Sequence, residues 1–255
     1  MRFHLFVPPP DAAGVLALLH EHLDLPPGAI TTAQRDEAEW RDTWKRYFTT
    51  RRIGRIAIVP SWEATAHQAQ PGEVTLHLDP GRAFGTGGHA STRLCLRFID
   101  RVSRSGSAVV DRLPRRAGEV LDVGCGCGVL AIAALRCGGY SRAVAIDIDP
   151  EAVEVTQENA ERNGVTAQVS AEITPLGMVP GRFPLVLANI TGPTIHNLAE
   201  ALAAHVAPGG SLVLAGILSA EAAAIVDRFA SLGLAPTSPD GELAAEEHED
   251  EWAAL

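Results

Sequence analysis

Several groups of residues in this chain have types and spacings suited to chemistry. In Val120-Leu121-Asp122-Val123-Gly124-Cys125-Gly126-Cys127-Gly128-Val129-Leu130 an apolar run breaks into glycines at every second position, then resumes with helical spacing. That pattern reads as a strand, a tight turn and a helix start. Glycine admits positive φ and close approach of the backbone to a ligand, and a helix N-terminus offers free N–H groups, so a nucleotide-like ligand is expected. Asp147, in Ala145-Ile146-Asp147-Ile148-Asp149-Pro150, ends the next apolar run and is placed to accept hydrogen bonds from ribose hydroxyls. Residues 79–92 form a loop with four glycines, Phe84, Thr86 and His89, more backbone freedom than a mere connection needs. Ser91 and Thr92 can cap the helix that follows, and His89 is as suited to bonding backbone as to moving protons. Asn189 ends another apolar run; the plain reading is that it terminates a strand.

The elements that must position these residues alternate strand and helix. Strands are predicted at 119–123, 143–147, 166–170, 185–189 and 211–216, and helices at 128–137, 150–163, 192–206 and 219–232, as in a doubly wound parallel sheet. Two more strands are expected at 234–237 and 251–255. Upstream, a strand at 2–7, a helix at 11–23, an aromatic-striped helix at 35–48 (Trp40, Trp44, Phe48) and strands at 56–59 and 74–78 precede a helix running to about residue 104. The chain divides on this reading into a small α+β region at 1–34, a linker helix and strand at 35–65, and a catalytic domain at 66–255.

Composition narrows the classes. With a net charge of −10, binding of nucleic acid through its phosphates is not expected; a basic protein fits better as partner. No apolar run approaches the roughly 18 residues needed to span a bilayer, and residues 1–4 do not begin a signal peptide, so a cytoplasmic protein is expected. Cys125 and Cys127 match neither zinc-site nor redox spacing, and Cys95 and Cys137 read as small apolar residues; no metal and no disulfide are expected. Arginines between 35 and 55 and acids between 240 and 251 read first as solvated surface, the latter serving docking at most.

The glycine turn has two readings. From Gly126 it is G-x-G-x-x-A ending at Ala131, which a dinucleotide site tolerates. From Gly124 it is G-x-G-x-G after a charged Asp122, similar to class I methyltransferases that use S-adenosyl-L-methionine (AdoMet). Four blocks extend that likeness: Trp44-Lys45-Arg46-Tyr47-Phe48 with Ile58-Val59-Pro60-Ser61-Trp62; residues 79–92 around Phe84-Gly85-Thr86-Gly87; residues 120–130; and Ala188-Asn189-Ile190. Gly209-Gly210 with Ala215-Gly216-Ile217-Leu218 adds a fifth. Together they resemble the ribosomal protein L-eleven methyltransferase (PrmA) family over about residues 40–235. Members of that family usually carry a longer, ferredoxin-like N-terminal domain. Gly88-His89-Ala90-Ser91-Thr92 and Thr191-Gly192-Pro193 also depart from its usual pattern.

The resemblance implies a fold, a reaction and a set of roles. The fold is α/β, a Rossmann-like doubly wound seven-stranded mixed sheet after a small, shortened α+β N-terminal region. The reaction is methyl transfer from AdoMet to lysine or N-terminal amines of the eleventh large-subunit ribosomal protein, by a monomer. Phe84, Thr86, Thr92, Asp122, Gly124, Gly126, Gly128, Asp147 and Asn189 are the implied cofactor residues. Asp122 would orient the turn or the cofactor's amino end, residues 170–172 would meet the adenine, and Asn189 would be catalytic, its amide oxygen aiming the amine. Alternatives stay open: another protein lysine, such as one of an electron-transfer flavoprotein; a dinucleotide-dependent oxidoreductase; and an AdoMet-binding protein without activity. A planar acceptor is disfavoured, because Asn189-Ile190-Thr191 lacks the Pro-Pro-aromatic run that stacks on one.

Overall fold

Near-continuous apolar runs such as 120–123 and 185–188 have no polar face to leave in water, so they form stable strands only where helices cover both sides. The computed structural model describes residues 12–22, 30, 48–79, 85, 87–103, 118–137, 139–236 and 247–255. The chain divides into two compact units, Met1–Tyr47 and Phe48–Leu255. Of the first unit, helix α1 (Ala12–His22) is described, with Leu16 and Leu19 half-buried and His20 Nδ1 paired to the Leu16 carbonyl at 2.8 Å. The expected strand at 2–7 and nearly all of the aromatic-striped helix lie outside the described residues.

In the second unit the sheet runs β6–β5–β4–β7–β8–β10–β9. Its strands are β4 (Glu119–Val123), β5 (Arg142–Ile146), β6 (Val169–Glu172), β7 (Phe183–Asn189), β8 (Val206–Leu218), β9 (Glu247–Glu249) and β10 (Trp252–Ala254). The first five in chain order are parallel, and β10 is antiparallel to both β8 and β9, which makes the sheet seven-stranded and mixed as expected. Its helices are α2 (Ala90–Ser103), α3 (Val129–Arg136), α4 (Pro150–Arg162), α5 (Gly192–His205) and α6 (Ala222–Ser231). Side chains alternate between two cores. Leu185 and Leu187 face one core with Leu94, Ile99 and Ile132; Val186 and Ala188 face the other with Ile195, Leu202 and Phe229. A fully buried Leu or Ile contributes about 1.5–3 kcal/mol, whereas an exposed ion pair adds about 0–1 kcal/mol. The two cores therefore dominate the stability.

Two departures from the predicted elements concern the chain's last strands. Residues 234–236 are not a strand; the sixth strand is Glu247–Glu249, joined to β10 through Asp250 and Glu251, with Asp250 at φ 56°. No apolar alternation marks Glu247-His248-Glu249, because an edge strand three residues long is held by its neighbour's backbone rather than by burial. Strand β6 also starts later than read, a short 3-10 turn occupying Thr166–Gln168.

A second, three-stranded sheet precedes α2. Strand β1 (Arg51–Ile53), absent from the predicted elements, forms a hairpin with β2 (Ile56–Val59), which pairs in parallel with β3 (Val74–His77). Gly54, at φ +57° in the turn, lies against Asp100 of α2: an added Cβ would stand 2.1 Å from Asp100 Oδ2. Arg55 Nε donates to Asp100 Oδ1 at 2.7 Å and Arg55 Nη2 to Ser103 Oγ at 2.8 Å, tying this sheet to α2. Two of the arginines read as solvated surface are thus paired, Arg55 with Asp100 and Arg52 with Glu73. Among the described residues, no helix is long and apolar enough to cross a membrane.

Glu73 is buried between β3 and the preceding turn. Burial alone would raise its pKa, but donors from His67, Arg52, the Gln70 N–H and Thr75 outweigh it, and the carboxyl is held down at about 2 against 4.5 ordinarily. A carboxyl with a depressed folded pKa adds stability above its unfolded pKa and loses it as pH falls through the folded value. The stability gap between the native chain and Glu73→Gln, measured by urea unfolding, is expected to be full above about pH 4.5 and to close toward pH 2. A gap independent of pH would show that Glu73 is not ionised against these donors.

Candidate active site

The sheet order reverses between β4 and β7, and in open α/β sheets ligands bind in the crevice outside the carboxyl ends of strands at such a point. Asp122, Gly124, Gly126 and Gly128 lie at the end of β4 and in the turn after it, Asp147 just past β5, and Asn189 at the end of β7. Thr92 reaches the same place from α2: Asn189 Nδ2 donates to Thr92 Oγ1 at 3.2 Å. Phe84 and Thr86 lie outside the described residues. Their neighbours Gly85 and Gly87 are seen, and a Cβ on Gly85 would stand 3.4 Å from Cys127 Sγ, so the loop borders the glycine turn.

The turn is shaped by the protein before any ligand enters. Gly124, Gly126 and Gly128 have φ of 73°, 55° and 77°. A Cβ on Gly124 would come 2.4 Å from Ile190 Cγ2, and one on Gly128 would come 2.8 Å from Thr156 Cγ2. These two glycines therefore answer first to the strand end of β7 and to α4. Most of the turn's N–H groups already have acceptors: Gly124 and Cys125 donate to the Ile146 carbonyl, Gly126 to Asp147 Oδ2 at 2.9 Å, and Gly128 to the Cys125 carbonyl. Inside the helix start, the Ala131 N–H donates to Asp122 Oδ2 at 3.1 Å.

This bears on the two readings of the turn. A dinucleotide's pyrophosphate needs free N–H groups at the helix N-terminus, but here most of the turn's N–H groups are occupied, one of them by the Asp147 carboxylate. A ligand without phosphates that carries positive charge suits the same geometry.

Asp122 is 1 % exposed, and its Oδ1 has no hydrogen-bond partner among the described residues. Burial pushes its carboxyl up to about 7 from 3.8, more than the Ala131 N–H lowers it, with the charge of Asp147 adding to the rise. Of the two roles expected for it, orienting the turn is the one these contacts support. Asp147 is half-buried, and its two oxygens each accept one backbone N–H, from Gly126 and from Asp149 at 3.1 Å. A carboxylate has about four acceptor positions, so it retains capacity for a pair of hydroxyls. Asn189 Oδ1 is buried and has no donor among the described residues. Cys127 is pushed up to about 12 by burial, and Cys125 is raised for the same reason. Both thiols stay neutral and serve as small apolar groups.

Helix α2 begins at Ala90, so Ser91 and Thr92 are inside it and do not cap it. The cap is His89, whose Nδ1 accepts the Ser91 N–H at 3.3 Å and lies 2.8 Å from Ser91 Oγ. The imidazole bonds backbone, one of the two roles the sequence suggested. Thr191-Gly192-Pro193 is also a helix start: Thr191 is the N-cap of α5, and a Cβ on Gly192 would meet Glu221 Oε2 at 2.6 Å.

Sequence reasoning missed Thr156 and Asn159. Both are fully buried on α4, where Thr156 Oγ1 donates to the Gly126 carbonyl at 3.0 Å and Asn159 Nδ2 to the Cys127 carbonyl at 2.9 Å. Their signal was polar residues inside the apolar stripe Ala152, Val153 and Ala160. It also missed Ile148, 90 % exposed directly after Asp147, and Ile173, 57 % exposed past β6. Ser170 and Glu172, expected near the adenine, lie within β6 and bond each other at 2.6 Å. A cleft of about 450 Å³ opens along β8 between Phe98, Pro208, Leu212, Phe229 and Leu255.

The family model described as "Ribosomal protein L11 methyltransferase (PrmA)" matches residues 7–255. The chain belongs to that family. It is 42 % identical over 233 residues to the ribosomal protein L11 methyltransferase of Geobacter metallireducens, covering 91 % of this chain and 70 % of that protein. To the protein of the same description from Geobacter sulfurreducens it is 42 % identical over 260 residues, covering 98 % and 79 %. The crystal structure of a ribosomal protein L11 methylase from Lactobacillus delbrueckii subsp. bulgaricus is similar with a TM-score of 0.66 at 28 % identity, over 82 % of this chain and 97 % of that one. Membership removes the oxidoreductase alternative.

The state of Asp122 can be tested through stability. A carboxyl raised in the folded state makes the native protein hold more protons than the unfolded chain between the two pKa values, so stability falls as pH rises from about 4 to about 7. Asp122→Asn, which keeps an acceptor for the Ala131 N–H, is expected to remove that fall and to gain on the native chain at pH 8 in urea unfolding. Equal pH dependence of both proteins would show that Asp122 titrates normally.

Proposed function

We propose that the chain transfers methyl groups from AdoMet to lysine or N-terminal amines of ribosomal protein L11, with Asn189 as catalytic residue. The observation that carries this reading is the Asn189 amide. Its Nδ2 is engaged by Thr92 and its Oδ1 is a buried acceptor without a donor among the described residues, a state that costs about 1–3 kcal/mol until a donor arrives. An incoming amine is such a donor. Thr92 then acts by setting which way the amide faces, a more specific part than the general cofactor contact expected of it.

The residues present suit the cofactor. Asp147 holds the ribose hydroxyls with its remaining lone pairs, a charge-assisted contact worth about 1.5–3 kcal/mol. Gly124, Gly126 and Gly128 keep the turn low enough for the methionine part to pass, Asp122 keeps the turn in place, and exposed Ile148 offers an apolar surface to the base. Phe84 and Thr86 complete the cofactor side by resemblance. When bound, AdoMet supplies a methyl group activated by a positive sulfonium. A free lysine with pKa about 10.4 must give up a proton to solvent to become neutral at pH 7, at a cost of about 4.6 kcal/mol, and burial beside a positive charge favours that deprotonation. No general base is needed, which fits His89 serving as a helix cap. Asn189 holds the lone pair in line, the chief remaining source of rate.

Residues 1–34 recognise the protein substrate, 35–65 link, and 66–255 catalyse. The enzyme acts as a cytoplasmic monomer on the protein itself, and the net charge of −10 suits a basic protein rather than direct contact with nucleic acid.

The test is methyl transfer from labelled AdoMet into a ribosome-containing lysate from cells lacking this gene, with the labelled protein identified by mass spectrometry. Label on L11 is expected; label on a different protein would replace the substrate, and none would remove the activity. In the same assay Asn189→Ala is expected to lose most of its transfer, leaving a small residual rate, while keeping AdoMet affinity, and turnover at the native rate would end its catalytic role. Asp147→Ala is expected to weaken AdoMet binding at least about tenfold by calorimetry, the loss of one good contact. Unchanged affinity would take Asp147 away from the ribose.

A further inference from the structure

Thr92 can fix the Asn189 amide only if the first turn of α2 is itself fixed, and the residues on either side of Thr92 are held by the last strands of the chain. His89 meets the Trp252 ring edge to face, with centroids 4.4 Å apart at 71°. Arg93 Nε donates to Glu249 Oε1 at 2.6 Å while Arg93 Nη1 donates to the Gly88 carbonyl, so one guanidinium joins the loop, the helix and β9. Arg97, one turn further on, pairs with Glu249 Oε2 at 3.0 Å. Glu249 and Arg93 are both about one-fifth exposed, so these pairs are partly screened from solvent.

The same hairpin reaches Asn189 from the other side. Strand β10 pairs with β8, with an irregularity in register beside Gly216. A Cβ on Gly216, whose φ is +80°, would stand 2.4 Å from the Ile190 carbonyl oxygen and 3.2 Å from Asn189 Oδ1. The contacts close a ring: β10 to Gly216 to Asn189, to Thr92, to His89 and Arg93, and back to Trp252 and Glu249.

We propose that Glu249 and Trp252 are positioning residues for methyl transfer, holding the first turn of α2 so that Thr92 keeps the Asn189 amide oxygen toward the amine. This gives part of the acidic C-terminal stretch a role inside the enzyme. It rests on the assignment of Asn189 above.

The experiment measures kcat, KM for L11 and AdoMet affinity on the full chain carrying Trp252→Ala, Trp252→Phe or Glu249→Gln, with and without Asn189→Ala. A misplacement of this kind should lower kcat about tenfold in Trp252→Ala and Glu249→Gln with AdoMet affinity within about twofold. Trp252→Phe, which keeps an aromatic face for His89, should recover most of the rate. In the Asn189→Ala background neither change should lower the residual rate further, because residues acting through one group are not additive. Unchanged kcat, or a loss that multiplies with that of Asn189→Ala, would overturn the proposal. Should Trp252→Ala fail to fold, Glu249→Gln decides by the same criteria. If Asn189→Ala alone leaves turnover intact, the assignment of Asn189 fails, an outcome distinct from failure of the hairpin's role.

Discussion

The turn from β4 into α3 has no room for side chains at Gly124 and Gly128, and its neighbours are arranged around their absence there. Ile190 occupies the space a Cβ on Gly124 would need, and Thr156 the space of one on Gly128. Positive φ at three alternate positions lets the chain reverse within a few residues and point the start of α3 at the crevice. Because the glycines yield, β7 ends close to β4, and Asn189 is brought to the mouth of the same crevice as Asp147. Thr156 and Asn159 of α4 then hold the turn's carbonyls from below. A bulkier turn would separate the two halves of the site even if every strand still formed.

Charge placement follows from that packing. Asp122 sits inside a core strand, where its cost is offset in part by the Ala131 N–H and in part by protonation near neutral pH. With Asp147 beside it, the end of the turn favours ligands with positive or hydroxyl groups and disfavours phosphates. The turn is thus selective at the level of charge as well as shape, and the glycines alone would not make it so.

Helix α2 connects the parts that the central sheet does not. Its last turns hold the small sheet through Asp100 and Arg55, its first turn is capped by His89 and touches Asn189 through Thr92, and its outer face meets Glu249. One helix therefore relates the three-stranded sheet, the end of β7 and the C-terminal hairpin. The exposed pairs among these contacts add little stability singly; their effect is on where Thr92 stands.

Most of the architecture was legible in the amino-acid order. Strands buried on both faces read as apolar runs, helices as stripes with period near 3.6, and the glycine turn, Asp147 and Asn189 all fall where such runs end, because those signals are set by neighbours a few residues away. The resemblance to a family rested on the same local blocks. Strands β1 and β9 left no such signal, since each is three residues long and one is held mainly by its partner. What only the tertiary structure decided is which groups share a hydrogen bond. Thr92 and Asn189 are 97 residues apart and Arg93 and Glu249 are 156 apart, and their meeting depends on the order of strands in the sheet. The same order decided that the oxygen of Asn189 would be buried without a donor among the described residues. Sequence by itself settled the elements and the residues at their ends, because local periodicity requires only near neighbours. The pairing of those ends into a site required the whole sheet, because a contact across it exists only once every intervening strand is in place.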